Sequence, residues 1–180
     1  MNLIARVKNI LLEPKAEWPQ IAAETATPQS IYVGYVLILA AIGPLTTLIR
    51  GSVLGAVVQY VIALAVTFLM ALIVDALAPT FSGEKNFIQS LKLVAYSYTA
   101  AWIAGIFQLI PVLGAILALL AAIYTLYTFY LGVAVLKKCP QDKAVGYTIV
   151  VVICGILLGG VLAAFLVSMV IGGSVMGMGT

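Results

Sequence analysis

Histidine is absent from the 180 residues, and charge is scarce: Asp, Glu, Lys and Arg together make up 8%. The missing histidine removes the commonest general base and metal ligand. It also excludes the zinc site of an H-E-x-x-H helix. An aspartyl dyad needs two carboxylates in one site, and Asp75 is the one carboxylate inside an apolar run. No serine stands beside an evident base, and there is no Walker A loop. The expectation is a protein without catalytic residues, cofactor or metal, and not an enzyme. The two cysteines, Cys139 and Cys154, make no disulfide framework. A net charge of +3 is too small to imply a nucleic-acid partner.

Soluble domains carry about 25% charged residues. This chain is 64% hydrophobic with a mean hydropathy of +1.20, so most of its surface must face lipid. A membrane helix needs about 20 apolar residues. Five runs qualify: Ile31–Ile49, Ser52–Ala78, Leu93–Ile110, Val112–Leu136 and Val145–Gly172. Pro111 separates the third from the fourth, because proline lacks an N–H and disfavours helix at the residue before it. The expected fold is all-α, a polytopic bundle of five transmembrane helices. Residues 1–29 form a cytoplasmic interfacial segment, 30–172 the five-helix domain, and 173–180 a glycine-rich tail expected to fray.

Short cytoplasmic loops collect lysine and arginine. Of nine such residues, Arg6, Lys8, Lys15, Lys85, Lys92, Lys137, Lys138 and Lys143 fall on one side of this topology, and Arg50 on the other. The N-terminus is therefore expected in the cytoplasm and the C-terminus outside. The first twelve residues show no clean signal-peptide core or cleavage site. They instead place Leu3, Ile4, Val7, Ile10 and Leu11 at helical spacing, with Arg6 and Lys8 among more polar positions and Pro14 as a stop. That pattern predicts a short amphipathic helix on the cytoplasmic leaflet. Trp18, Tyr32 and Tyr35 suit an interfacial aromatic belt.

Polar residues inside the runs are the structural or interaction candidates. Tyr124, Thr125, Tyr127 and Thr128 form a band on the fourth run. Tyr124 sits about 18 Å from its cytoplasmic end, where a hydroxyl needs a partner. The band reads as interhelical hydrogen bonding in preference to a polar pathway. Asp75 carries two penalties, desolvation and the negative end of its helix. Lys92, or backbone donors at neighbouring helix starts, is its expected partner, in a structural role. Gly51/Gly55 and Gly155/Gly159 are G-x-x-x-G pairs that permit close packing within the bundle or in a homo-oligomer. Cys139, in "KKCPQDK", reads as an exposed thiol with its thiolate favoured by adjacent lysines.

The segments "EPKAEWPQIAAE", "FSGEKNFIQSLKLVAYSYTAAW", "LIPVLGAILALLAAIYTLY" and "KAVGYTIVV" resemble the YIP family of Ypt-interacting membrane proteins, in its prokaryotic form. The similarity runs from about Glu13 to Leu166. It implies five spans, a cytoplasmic N-terminus and a prokaryotic cytoplasmic membrane. Eukaryotic members are linked to vesicle traffic and prenylated Rab-type GTPases, and carry Asp-Leu-Tyr-Gly-Pro ahead of the first span. This chain reads "ATPQSIYVGYV" there, so the Rab partnership does not carry over. The expected function is an interaction or membrane-organising module. Its partners are the lipid bilayer, with anionic headgroups on the cytoplasmic side, and a protein of unspecified identity. The alternative is a small channel or transporter using the polar band of the fourth span.

Overall fold

Asn2 starts the first helix. Its side-chain oxygen accepts from the backbone N–H of Ile4 (3.1 Å) and Ala5 (3.4 Å), two donors that a helix start leaves unpaired. Helix α1 (Leu3–Leu12) ends before Pro14, which opens α2 (Pro14–Ala23) at its first position, where a missing N–H costs nothing. Thr27 and Ser30 then form a reciprocal cap for the next helical run, α3 (Pro28–Ile49). This run contains a wide π-helical turn at Tyr32–Val36 and breaks at Ala40–Ala41. The break lies just ahead of Pro44, whose ring clashes with the carbonyl four residues earlier. The Tyr60 hydroxyl donates to the nearby Leu37 carbonyl at 2.9 Å.

Ser52 caps α4 (Val53–Leu77). A one-turn 3-10 helix and a loop with Ser82 in the left-handed region (φ 58°) lead to α5 (Phe87–Ser97) and α6 (Thr99–Ala104). A second 3-10 turn, Gly105–Leu109, leads to α7 (Pro111–Leu136), and α8 (Gln141–Gly177) follows. These elements come from a computed structural model that describes the backbone of residues 2–177 and the side chains of 2–162 and 164. Among the described residues every regular element is helical. The tail expected over 173–180 lies partly outside them, and α8 runs as helix to Gly177.

Four helices are long and apolar enough to cross a membrane: Pro28–Ile49, Val53–Phe81, Pro111–Leu136 and Gln141–Leu162. The third expected run, Leu93–Ile110, is not a single helix. It is split at Tyr98 and tightens to 3-10 geometry from Gly105. Close packing accompanies the irregular end: a Cβ on Gly105 would stand 3.2 Å from the backbone of Gly43. The outward faces of α4, α7 and α8 are apolar, with Leu54, Val61, Val112, Leu119, Ile123 and Ile156 all exposed. In water such a surface promotes association; in hydrocarbon it is the surface a spanning helix needs.

The core is not confined to the spans. Ile10, Trp18 and Ile21 of α1 and α2 join one buried cluster with Tyr35, Val74, Leu93, Val133 and Tyr147. The N-terminal segment is therefore part of the bundle's packing, as the side chains below explain.

Candidate functional site

Helix α1 was expected to point Arg6 at lipid headgroups. The structure turns that residue inward, leaving it 4% exposed. Its guanidinium pairs with Glu17 of α2 and with Glu24 just beyond it, and lies 5.6 Å from the centre of the Tyr96 ring. Asn9 donates to the other Glu17 oxygen at 3.0 Å. Tyr96 sits about 14 Å along α5 from its start, so this ion cluster is deep in the bundle. Arg6 and Glu17 stand on separate helices, and folding α2 back on α1 makes them partners.

Lys92 belongs to the same neighbourhood and not to Asp75. Its ammonium donates to the carbonyls of Ile21 (2.7 Å) and Glu24 (2.5 Å), and Gln89 donates to that of Ala22 at 3.1 Å. These are the open carbonyls at the end of α2, where a cation also meets the favourable end of the helix dipole. The end of α1 is held in the same way. The Tyr124 hydroxyl lies 3.1 Å from the Ile10 carbonyl and 2.9 Å from that of Leu11. So the bundle supplies the caps for both N-terminal helices.

Trp18, expected at the membrane interface, is 1% exposed and lies against Gly132 of α7. A Cβ there would stand 2.9 Å from two atoms of the indole. The glycine is the space that the ring occupies. Its Nε1 is buried without a hydrogen-bond partner. Tyr35, also expected in the belt, is buried and shares a 2.6 Å hydrogen bond with Thr99. Tyr32 donates to the Leu64 carbonyl at 2.9 Å.

Asp75 is bound to Lys137, at 3.1 Å. The Lys137 ammonium also donates to Ser90 Oγ (2.7 Å) and the Asn86 carbonyl (3.2 Å), and Ser90 Oγ lies 3.1 Å from Asp75 Oδ1. One buried node thus joins the end of α4, the start of α5 and the end of α7. Burial pushes the Lys137 ammonium below its ordinary pKa, and Asp75 opposes that shift. Lys92 and Lys137 look alike in the sequence as basic residues near a span end, so only packing separates their roles.

The polar band divides. Tyr124 serves α1. Thr128 is fully buried and within reach of the Tyr124 (3.0 Å) and Thr125 (2.9 Å) carbonyls of its own helix. Thr125 Oγ1 has no partner and lines a mostly apolar cavity of about 230 Å³ with Met70, Phe129 and Gly155. Tyr127 is exposed, its ring 5.9 Å from that of Tyr124. Gly155 packs against Met70, whereas Gly159 meets nothing within 4 Å. Of the earlier pair, Gly51 is a turn residue at φ 89°, and Gly55 lies under its own helix's cap, Ser52, and beside Thr47 of α3. Cys139 is buried and donates to the Phe81 carbonyl at 3.2 Å. Burial raises its pKa, contrary to the exposed, activated thiol expected.

Among the described residues, no three acidic or cysteine side chains are grouped to hold a metal ion. The interior polar groups instead join helices to one another. No curated protein and no solved structure matches the chain. The family model described as the Yip1 domain matches residues 8–163, a stretch that takes in Glu17 and Glu24 but not their partner Arg6, the Asp75–Lys137 node and all four long apolar helices, and the chain therefore belongs to the Yip1-domain family of multi-pass membrane proteins.

Proposed function

We propose that this protein acts by binding and arranging membrane components, without turnover or transport. It crosses the bilayer five times, with its N-terminus in the cytoplasm. Support for the fifth crossing comes from how residues 87–109 are tied. Asn86, ahead of α5, is held by Lys137 at the end of α7. Gln108, at the other end, accepts from Arg50 at the end of α3. Twenty-three residues at helical rise cover about 34 Å, so this broken run reaches between opposite ends of the bundle.

The observation that carries the non-transport reading is the engagement of Tyr124 by the α1 carbonyls. The deepest hydroxyl of the band is used to hold the N-terminal helices. Exposed Lys15, Lys85, Lys138 and Lys143 remain at the proposed cytoplasmic end for anionic headgroups and a protein partner.

Reconstituted in liposomes, the protein should pass ions and small neutral solutes no faster than empty vesicles do. Saturable flux that disappears in Thr125→Val would overturn the reading in favour of a channel or transporter. Orientation is tested separately. With native cysteines removed, a cysteine at Lys85 should resist an impermeant reagent in intact cells, and one at Thr180 should react. The reverse pattern would sink the topology.

A further inference from the structure

A cavity of about 450 Å³ opens beside the last turns of α7, lined by Lys15, Trp18, Tyr130, Leu131, Ala134, Val135 and Gln141. Ligand pockets run from about 300 to 1,000 Å³, so the space suffices for a small group. Its chemistry is divided. Leu131, Ala134 and Val135 follow helical spacing and make one apolar strip of α7. The other members bring an ammonium, the edge of an indole, a phenol O–H and a carboxamide. No carboxylate lines the cavity.

The buried indole points to a ligand. Trp18 is 1% exposed, and its Nε1 has no partner. A buried donor left unmade costs free energy, and indole N–H groups find an acceptor when buried. Gly132 fixes the ring in this place. Lys15, exposed at the rim, supplies the positive charge.

We propose that this cavity binds the phosphate of an anionic membrane lipid. Lys15 receives the phosphate oxygens, a turn of the indole brings the buried Trp18 N–H to them, Tyr130 and Gln141 add donors, and an acyl chain lies along Leu131, Ala134 and Val135. The apolar strip selects a lipid over free phosphate, which would leave it uncovered. The proposal assigns a place to the anionic headgroups of the preceding section, and rests on that reading only for the leaflet involved. Binding in detergent does not depend on orientation, so the two can fail separately.

The test uses the full chain in neutral detergent, titrated with short-chain phosphatidylglycerol, phosphatidylcholine or inorganic phosphate. Bound lipid is counted by native mass spectrometry, and Trp18 fluorescence is followed in a Trp102→Phe background, since the chain has two tryptophans. Phosphatidylglycerol should bind in preference to phosphatidylcholine and shift the Trp18 emission. Lys15→Gln should weaken that binding about fivefold, the worth of one lysine near an anionic surface. Trp18→Phe keeps a ring on Gly132, removes the N–H and should also weaken it; the smaller ring lowers lipid-free stability, so binding is read well below the unfolding midpoint of each variant. Lys8→Gln, an exposed cation outside the cavity, should have no effect. Equal loss in Lys8→Gln, or unchanged affinity in both cavity variants, would overturn the site. Displacement of the lipid by millimolar inorganic phosphate would overturn a lipid as its ligand.

Discussion

The ammonium of Lys137 lies 3.1 Å from Asp75 Oδ1, closing a gap of 62 positions in the chain. It is fully buried and ties α4 to the junction between α7 and α8, through a carboxylate that the sequence leaves isolated. Removing one member of a buried pair leaves the other uncompensated, at about 3–5 kcal/mol. Lys137→Met should therefore lower the unfolding midpoint in detergent sharply. Asp75→Asn should cost less, because an amide oxygen can still accept from Ser90 and Lys137. Joining Lys137→Met to Asp75→Leu should recover part of the loss. Additive losses in that double-mutant cycle would refute the coupling.

Arg6 gives a second test. Arg6→Met strands Glu17, which is 4% exposed, and should release α1 from the bundle. Backbone amides of Leu3–Leu12 should then exchange hydrogen much faster, while those of α4 keep their protection. Glu24→Gln should have a small effect, under about 1 kcal/mol, because the Glu24 side chain is 41% exposed and solvent screens the pair.

Tyr124→Phe removes the hydroxyl that serves Ile10 and Leu11. The expected loss is about 1 kcal/mol, read as faster exchange at the end of α1. Thr128→Val should leave α1 protected, since the Thr128 hydroxyl is within reach of carbonyls of its own helix and of Ser97 in α5 but of none in α1. Equal loosening of α1 in both variants would count against the capping role of Tyr124.

Gly132→Ala drives a methyl toward Leu93 and Trp18 and should cost about 1–3 kcal/mol through overpacking. In a Trp102→Phe background, Trp18 emission should move to the red as the ring is displaced. Unaltered emission and stability would mean that the indole does not rest on Gly132.

Cys139 has a pKa raised above its ordinary 9.0, chiefly by burial. The thiolate fraction near neutral pH is accordingly smaller than for a free thiol, and the thiol is shielded as well. Maleimide labelling of Cys139 should be slower than for a model thiol at pH 7.5, and should still be rising with pH at 9. Fast labelling that levels off below pH 8 would contradict the buried position.

The sequence by itself determined that this is a helical membrane protein, because burial of apolar surface in lipid depends on composition and run length alone. The apolar spacing from Leu3 to Leu11 and the stop at Pro14 agree with the helical stretch Leu3–Leu12, and Pro111 marks the start of α7. The tertiary structure decided where each charge goes. Arg6, Lys92 and Lys137 are alike in a topology count, yet each is buried among different acceptors once α1 and α2 fold back into the bundle. Trp18 carries the composition of an interfacial residue, but Gly132 offers it an internal seat. The third apolar run reads as one helix, and becomes α5, α6 and a 3-10 turn where Gly105 meets the Gly43 backbone. Such outcomes depend on which side chains meet across long stretches of chain, and local periodicity does not carry that information.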